Sequence, residues 1–417
     1  MTTMDQPAIP QSDRIATLDI VRGVAVMGIL TMNIVAFGMP EAAYFNPRAY
    51  GGDAGIDLIA YLVNFVLFDG KMRGLFSFLF GASALLVIER AEAQGLSAAR
   101  VHYARMGWLL VFGLLHLYLF WWGDILNHYA LIGMILFRFR AWGITALVKL
   151  AITLIAAQTL LLAGLPVAVA MNAADASRPN ATAEAIETRQ GFENSFGKPA
   201  PKEIASELAA YRGSFTDALA KRAEDGATRV LGALFGVGME TLTYMLLGMA
   251  LFKSGMLRGA WPAARYRRWL MIGFGIGIPT YAAIGWFVAS AGFSAFAVSL
   301  GVLLLATPVR PLMIIGWASL IILLARMRGW LTDRLAAAGR MAFTNYLMTT
   351  ILCTTFFNGY GSGFYGYLSR AELYLVVVAI WALILLWSKP WLAHFRYGPF
   401  EWLWRSLARG SLQPIRR

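Results

Sequence analysis

Long apolar segments, separated by short polar ones, run along most of the chain. Several of them reach the ~20 residues with which an α-helix crosses a hydrocarbon core of about 30 Å. A helix satisfies its own backbone hydrogen bonds in lipid, whereas a β-barrel would show short alternating segments. We therefore predict an all-α, polytopic transmembrane helical bundle of about ten spans, at residues 18–38, 74–92, 104–122, 124–140, 143–170, 229–252, 269–291, 308–326, 338–357 and 371–388.

Two segments depart from this pattern. Residues 56–69 are apolar but short and polar at three positions, which favours a helix at the membrane interface; these positions are Asp57, Asn64 and Asp69. Residues 171–228 are polar, with a predicted helix at 204–225 whose apolar residues recur at spacings of three and four, namely Leu208, Tyr211, Phe215 and Leu219. The polar stretch is either a solvated linker or a lid over an outward-facing site.

Composition and charge place the protein in a membrane. Charged residues make up 14% of the chain, whereas soluble domains carry about 25%. The net charge is +13, but its basic residues are scattered between the spans, which excludes a nucleic-acid footprint. With ten spans the basic loops fall on one side, so both termini are cytoplasmic. We divide the chain into a cytoplasmic tail, two membrane regions around an extracytoplasmic loop, and a basic cytoplasmic tail: 1–17, 18–170, 171–228, 229–388 and 389–417.

Cysteine and metal chemistry contribute little. Cys353 is the single cysteine, so no intramolecular disulfide can form. No His, Cys and Asp spacing predicts a metal site. The first fourteen residues lack the basic region of a secretory signal, so we expect the first span to be retained.

A carboxylate in the middle of a predicted span is the main indication of function. Glu240 lies in the apolar run 233–252, where a charge costs about 2.5–3.5 kcal/mol on insertion scales. We expect it to be paired, protonated or turned toward a polar cavity, with Arg310 as a candidate partner. In a transporter, Glu240 would bind a proton or cation, and Arg310 or Arg73 would bind a substrate carboxylate.

Polar side chains also occur in the first two spans. Asp19 and Arg22 share a helix face. They either cap and anchor the helix or form an anion site for a phosphate or cofactor. Asn33 is a candidate for hydrogen bonding between helices. Arg73 is either a partner of Asp69 or a clamp for a carboxylate or phosphate.

His116 and Asp124 bracket an aromatic stretch at the end of the third span, and Tyr129 follows. A buried histidine beside a carboxylate can act as a general base, because the carboxylate fixes its tautomer. The alternative is a structural histidine that bridges helices. We take His116 and Asp124 as the candidate catalytic pair and Tyr129 as a candidate substrate-binding residue. Elsewhere, two GxxxG pairs predict close helix packing, Gly232/Gly236 and Gly273/Gly277.

Several motifs occur in one order along almost the whole chain: LDIVRGVAVMGIL at 18–30, AYFNP at 43–47, LFSFLFG at 75–81, His116 with GDIL at 123–126, GRMAFTNY at 339–346 and GPFEWLWR at 398–405. In this combination the chain resembles the YeiB-like family of bacterial inner-membrane proteins, whose function is uncharacterised. The resemblance implies a multi-pass protein of the cytoplasmic membrane. Asn345, within the motif at 339–346, is a further candidate substrate-binding residue.

The start of the chain is also similar to a wider group of membrane acyltransferases that includes heparan-α-glucosaminide N-acetyltransferase. The shared part is the Asp-x-x-Arg-Gly opening and an outer loop that leads into a Phe-rich second span. This resemblance implies transfer of an acyl group from cytoplasmic acyl-CoA to an acceptor on the far side. That group places a catalytic histidine in the loop, whereas residues 46–52 hold none here. His116 is the candidate substitute.

Three hypotheses follow. In the enzyme hypothesis, which we favour, acyl-CoA approaches Arg22 and His116 deprotonates a small-molecule or lipid-linked acceptor held by Arg73. In the transporter hypothesis, a small anionic or amphipathic substrate is moved or exported with the help of Glu240. The third is a non-catalytic membrane protein with internally paired charges. An enzyme predicts a cavity that reaches His116, and a transporter predicts a central cavity around Glu240. The oligomeric state is left open.

Overall fold

The computed structural model describes residues 11–417, apart from the side chains of residues 11–15, 225 and 227. All named elements in this part of the chain are helical, and one isolated β-bridge joins Phe395 to Arg416. Residues 1–10 of the predicted N-terminal tail lie outside the described residues. The observed architecture is therefore all-α.

The helices follow one another with short connections. The first six are α1 (Gln11–Gly38), α2 (Gly55–Leu67), α3 (Lys71–Ala93), α4 (Ala98–Leu119), α5 (Leu126–Leu136) and α6 (Ile144–Asp175), with 3₁₀ turns at Glu41–Tyr44 and Phe137–Phe139. Next come α7 (Ala183–Phe196), α8 (Pro201–Arg212) and α9 (Phe215–Lys253). The last are α10 (Ala263–Ser290), α11 (Ala295–Val298), a π-helix (Ser299–Leu305), α12 (Arg310–Ala325), α13 (Trp330–Arg340), α14 (Ala342–Phe357), α15 (Arg370–His394) and α16 (Pro399–Arg409).

Six helical segments of residues 11–417 are long and apolar enough to cross a membrane: Ala16–Gly38, Gly55–Ala93, Ile144–Asp175, Thr228–Lys253, Ala263–Ser290 and Arg370–His394. A seventh candidate is a bent pair, Ala295–Leu305 with Arg310–Ala325, whose axes differ by 57°. The protein is thus a membrane-type helical bundle with six or seven candidate apolar spans. α4, α5 and α14 occupy three further predicted positions but are not among these candidates, so ten spans remain a prediction.

The bundle has two ends. We call the end at residues 183–212 the lid end and the end at α16 the tail end. At the lid end, the backbone N–H of Gly366 donates to the carbonyl of Gly38 at the close of α1 (2.8 Å), and α7 and α8 lie nearby. At the tail end, Glu401 of α16 accepts hydrogen bonds from the backbone N–H groups of Phe343 (2.7 Å) and Thr344 (3.0 Å). These N–H groups begin α14 and have no partner within the helix, so Glu401 caps it.

Segment 56–69 is mostly helical, as the sequence predicted. It is α2, and it packs against α10 and α15. Only residues 68–70 separate it from α3. Together the two helices form one apolar segment of 39 residues that is long enough to cross a membrane. The interfacial position of this helix stays a prediction, and the first half of an interrupted span is the alternative that its continuity with α3 offers.

Two helix interruptions meet inside the bundle. At the α2–α3 break, Asp69 N–H bonds to Asn64, and Lys71 N–H bonds to Phe68. The carbonyls of Phe65 and Leu67 therefore lose their helical partners, which lipid cannot replace. Side chains take over, because Lys71 Nζ donates to the Phe65 carbonyl and Trp317 Nε1 donates to the Leu67 carbonyl (2.8 Å).

The second interruption, at residues 306–309, separates the π-helix from α12. The hydroxyl of Tyr281 donates to the carbonyl of Ala306 there (2.9 Å). A methyl group placed on Gly70 would lie 2.4 Å from Nε of Arg310. The two interruptions are therefore in direct contact.

The GxxxG expectation holds for one pair only. A methyl group on Gly273 would lie 2.5 Å from the carbonyl oxygen of Leu312, and one on Gly277 would lie 2.1 Å from the sulfur of Met313. At Gly232 and Gly236, by contrast, no described atom lies within 4 Å of such a methyl group. Close packing thus explains Gly273 and Gly277, where α10 meets α12, and not the other pair.

The polar stretch 171–228 is mostly helical. The single helix predicted at 204–225 is in fact the end of α8 and the start of α9. Ser214 divides them, because its hydroxyl accepts from the backbone N–H of Asp217 (3.3 Å) and the Asp217 carboxylate accepts from the backbone N–H of Ser214 (2.8 Å). This reciprocal arrangement is a capping box that starts a new helix.

Candidate functional site

An ion cluster lies at the two interruptions. Glu240 of α9 is 2% exposed, and both of its carboxylate oxygens accept hydrogen bonds. Its Oε2 accepts from Nη2 of Arg73 (2.7 Å). Its Oε1 accepts from the hydroxyl of Tyr244 (2.6 Å) and from Nη1 of Arg310. Glu240 and Arg310 are therefore paired, as the sequence indicated.

Arg73 pairs with Glu240 instead of Asp69. The Asp69 carboxylate accepts from the hydroxyl of Tyr44 (2.7 Å). Tyr129, a predicted substrate-binding residue, supports this arrangement, because its hydroxyl lies 3.0 Å from the Arg73 carbonyl and 2.6 Å from the Ser77 hydroxyl. Tyr129 is buried, so in this state it holds the cluster in place.

Two cluster neighbours were missed by sequence reasoning. Lys71 is fully buried, and its ammonium lies 3.2 Å from the centre of the Tyr281 ring, a cation–π contact. His128 Nε2 lies 2.9 Å from the Thr241 hydroxyl, beside the arginines. A lysine at the start of an apolar helix was a visible signal, whereas its aromatic partner lies more than two hundred residues away along the chain.

A second site is formed by His116 and Asp124. Nδ1 of His116 lies 2.7 Å from Oδ1 of Asp124, and both side chains are buried. The other oxygen of Asp124 accepts from the backbone N–H (2.8 Å) and side-chain amide (2.7 Å) of Asn127. Nε2 of His116 is buried and has no hydrogen-bond partner among the described residues. The pair has the geometry of an oriented base with a free nitrogen.

A small cavity of about 10 Å³ lies beside this pair, lined by Val26, Ile29, Leu30, Asn33, Phe37, Tyr346, Thr349 and Thr350. Tyr346 links the two, because its ring centroid is 5.3 Å from that of His116. The cavity holds about one water molecule. Neither His116 nor Glu240 lines this cavity.

The remaining predicted residues lie elsewhere. Asp19 and Arg22 are ion-paired at the tail end (2.8 Å), where Arg22 also donates to the hydroxyl of Ser83 (2.9 Å). Asn345 donates to the Ala338 carbonyl (3.0 Å) and the Ser388 hydroxyl (3.2 Å), and its oxygen accepts from Trp387 Nε1 (3.1 Å). Since its amide is used on both sides, Asn345 ties α13, α14 and α15 together.

Positive charge accumulates at the tail end around α16. Burial lowers the pKa of Arg405, and repulsion by Arg409 and Arg22 acts in the same direction. Arg105 of α4 stacks on Trp404 with its guanidinium 4.2 Å from the ring centre. Such a concentration of like charge is favourable for an anionic ligand or lipid headgroup.

Comparisons with known proteins decide the family. Residues 251–411 match the family described as "Protein of unknown function (DUF418)". The chain is 33% identical to uncharacterized protein YeiB of Escherichia coli (strain K12), over 96% of this chain and 98% of the relative. The chain belongs to the YeiB-like family. Another member of similar extent is uncharacterized protein YxaH of Bacillus subtilis (strain 168), 31% identical over 98% of each chain. No solved structure matches the chain.

Membership in the YeiB-like family establishes the class of protein and leaves the reaction to be argued from the site. Among residues 11–417, no group of three or more His, Cys, Asp and Glu side chains is arranged to hold a metal ion. Two groups of buried ionisable side chains are therefore the candidates for a role in the reaction. One is the ion cluster of Arg73, Glu240 and Arg310, and the other is the pair His116 and Asp124.

Proposed function

We propose that the protein is a membrane-embedded acyltransferase that moves an acyl group from cytoplasmic acyl-CoA to an extracytoplasmic or lipid-linked acceptor. The observation that carries this proposal is the buried pair His116 and Asp124, whose ring nitrogen Nε2 is unused among the described residues. A carboxylate that accepts a hydrogen bond from Nδ1–H fixes the proton on Nδ1 and leaves the lone pair on Nε2. His116 is then the general base.

The proposed reaction balances without a further reagent. Nε2 of His116 removes the proton of the acceptor hydroxyl or amine while the acceptor oxygen or nitrogen bonds to the thioester carbonyl carbon. The tetrahedral intermediate then breaks its C–S bond. The imidazolium returns its proton to the departing thiolate, which gives CoA and the acylated acceptor. Asp124 stabilises the imidazolium between these two steps.

One face of α1 provides the proposed donor path. Arg22 and Asn33 are eleven residues, or about three turns, apart, so they share a face and lie about 16 Å from each other. The cavity residues of α1 occupy the same face between and beyond them. The phosphates of CoA would lie near Arg22 and the basic groups around α16. The extended thioester arm would reach Asn33 and Tyr346, next to His116.

The orientation follows from charge. Basic residues concentrate at cytoplasmic ends of membrane proteins, so we place the tail end in the cytoplasm of the bacterial inner membrane and the lid end outside. With ten spans both termini are cytoplasmic. The acyl group would then cross the bundle along α1, and the acceptor would arrive from the lid end or from the outer leaflet.

The direct test is binding of acyl-CoA to the purified protein in detergent. A ligand that binds the folded state raises the thermal midpoint by mass action. We expect acetyl-CoA or a longer acyl-CoA to raise the thermal midpoint. CoA, which lacks the acyl group, should raise it less, and ATP is the negative control. A stabilising acyl-CoA would then be incubated with candidate acceptors, and release of free thiol would be measured. Absence of any shift at millimolar acyl-CoA would contradict the proposal.

A second candidate function is transport, favoured by the two helix interruptions that meet at Glu240. Discontinuous helices around a central charged residue are typical of secondary transporters. Here α3 and α12 both begin beside the ion cluster, and two arginines face one carboxylate. The excess positive charge suits an anionic group. The test is uptake of a small anionic substrate into proteoliposomes. Loss of uptake in Glu240→Gln, at an unchanged thermal midpoint, would favour transport over acyl transfer.

A further inference from the structure

The segment 183–212, formed by α7 and α8, is docked on the lid end through specific contacts. The carbonyl of Tyr211 accepts from the backbone N–H of Gly359 (2.8 Å), and Nε of Arg212 donates to the carbonyl of Tyr365 (2.8 Å). The rings of Tyr211 and Tyr365 lie 5.0 Å apart. In the middle of the segment, between α7 and α8, the carbonyl of Gly197 accepts a hydrogen bond from the amide of Asn46 (2.7 Å). These contacts join elements that are distant in sequence.

The docked segment secures the roof of an outer cavity. This cavity, of about 10 Å³, is lined by Tyr44 and Phe45 above and by Asn64 and Asp69 below. Tyr44 ends the 3₁₀ turn Glu41–Tyr44, to which α8 is bound. Such a volume holds about one water molecule. A ligand larger than a water molecule would need the roof to move, and α8 is bonded to the turn that carries this roof.

A carboxyl group lies at the centre of the docking surface. Oε1 of Glu207 accepts from the backbone N–H of Glu41 (2.9 Å) and from the hydroxyl of Tyr365 (3.0 Å). The Glu41 carboxylate faces it and is bound by both terminal nitrogens of Arg229 (3.0 and 2.8 Å). The other titratable neighbour is Tyr211, on α8 itself.

We propose that residues 183–212 form a lid over the outer cavity, and that the protonated carboxyl of Glu207 holds this lid closed. The proposal concerns access from the lid end, so it applies to acyl transfer and to transport alike. When Glu207 ionises, its charge is enclosed in the docking surface opposite the Glu41 carboxylate. Release of the lid returns that charge to water.

The direction of the pH dependence follows from the carboxyl group. Burial raises the pKa of Glu207 to about 7, the charge of Glu41 acts in the same direction, and the hydrogen bonds and Arg229 act against it. In the released lid the pKa returns to the ordinary value near 4.5. Docking is therefore strongest below the ordinary value. It weakens by at most about tenfold per pH unit as the pH rises toward 7 and is constant above that.

Hydrogen–deuterium exchange of the full chain in nanodiscs tests the lid. The reporter is the Gly359 amide, which bonds to the lid directly, with rates corrected for the intrinsic effect of pH. We expect its protection to fall by at least tenfold between pH 5 and pH 8. Glu207→Gln should remove this fall, because the side chain no longer ionises. Glu203→Gln, on an exposed position of the same helix, should leave it unchanged.

Equal pH profiles for the unmodified protein and Glu207→Gln would overturn the proposal. If Glu207→Gln lowers the thermal midpoint of the whole protein, Glu41→Gln decides instead. It removes the opposing charge and frees Arg229 to stabilise an ionised Glu207, so the fall in protection should move to lower pH. An unmoved profile in that variant would also overturn the proposal.

Discussion

Two buried groups of charged side chains differ in which of their atoms lack a hydrogen-bond partner. In the ion cluster, both oxygens of Glu240 are occupied, by Arg73 on one side and by Tyr244 and Arg310 on the other. In the His116 pair, Asp124 is fully occupied, but Nε2 of the histidine has no partner among the described residues.

This difference separates stabilisation from chemistry. A buried charge is tolerated when it is paired and hydrogen-bonded, so the Glu240 carboxylate holds α3, α9 and α12 together. Nε of Arg310 has no partner among the described residues, but it is a donor and cannot accept a proton. An unpaired buried nitrogen costs stability, and both Nε2 of His116 and Nδ1 of His128 are of this kind among the described residues. Only His116 is oriented by a carboxylate at its other ring nitrogen. We therefore propose that the ion cluster belongs to the architecture of this state and that His116 is the reactive group. The following predictions test that division.

The largest effect is expected for His116→Ala. Removal of a general base typically lowers the rate by about 10²–10⁴-fold, and we expect that loss in acyl transfer per folded molecule. His102→Ala is the matched control, because His102 is also buried and its Nε2 lies 2.8 Å from the Gly133 carbonyl, with no carboxylate as partner among the described residues. Initial rates and thermal midpoints should be measured together. Retention of more than a tenth of the activity in His116→Ala would remove the base assignment.

Glu240→Ala should have the largest effect on stability. It leaves two arginines buried without their carboxylate, which costs about 3–5 kcal/mol when one partner of a buried pair is removed. The free energy of unfolding in detergent is the measurement. Glu224→Ala, an exposed glutamate on the same helix, is the control and should change stability by less than about 0.5 kcal/mol. Similar losses in both variants would show that the cluster is not architectural.

Gly70→Ala disturbs Arg310 without removing any charge. The new methyl group would lie 2.4 Å from Nε of Arg310, at a residue whose φ is +69°. Gly95→Ala is a close control, since Gly95 has the same φ and open space around it. Left-handed backbone costs both variants about 1–2 kcal/mol, and the clash adds roughly 1–3 kcal/mol at Gly70 alone. Equal unfolding free energies would mean that Arg310 shifts at no cost.

The smallest effect is expected for Tyr129→Phe. It removes the hydroxyl between Ser77 and the Arg73 carbonyl, which is worth about 0.5–1.5 kcal/mol. Tyr103→Phe, at a half-exposed position, should change stability by less than that. If Tyr129 binds substrate, as the sequence predicted, Tyr129→Phe should instead raise KM at nearly constant stability. Unfolding and kinetic measurements on one preparation distinguish these outcomes.

The sequence predicted the class of fold and the burial of Glu240 because both depend on local hydrophobicity. It failed at Arg73, which was assigned to its chain neighbour Asp69. The sequence placed a break between segments 56–69 and 74–92, but it did not show that Asp69 bonds to Tyr44 and Arg73 to Glu240. The helix start at Ser214 could have been predicted, because a serine followed three residues later by an acidic residue is a capping signal.

Long-range partners account for what the sequence could not provide. Lys71 on Tyr281, Tyr346 beside His116 and Glu207 against Tyr365 each join side chains brought together only by packing. Asn345 was selected from a family motif as a substrate-binding candidate. In the structure its amide is hydrogen-bonded to neighbouring helices. A motif identifies a position under constraint and does not say whether packing or chemistry is the cause.

The indole of Trp317 also constrains how the protein is made. It supplies the hydrogen bond to the Leu67 carbonyl at the α2–α3 interruption, yet it lies 250 residues later in the chain. During synthesis from the N-terminus, α2 and α3 enter the membrane long before their partner on α12 exists. The early helices therefore need water, the insertion machinery or a straighter temporary helix until α12 arrives. The hydrogen bonds of the α2–α3 interruption are therefore completed only after α12 has been synthesised.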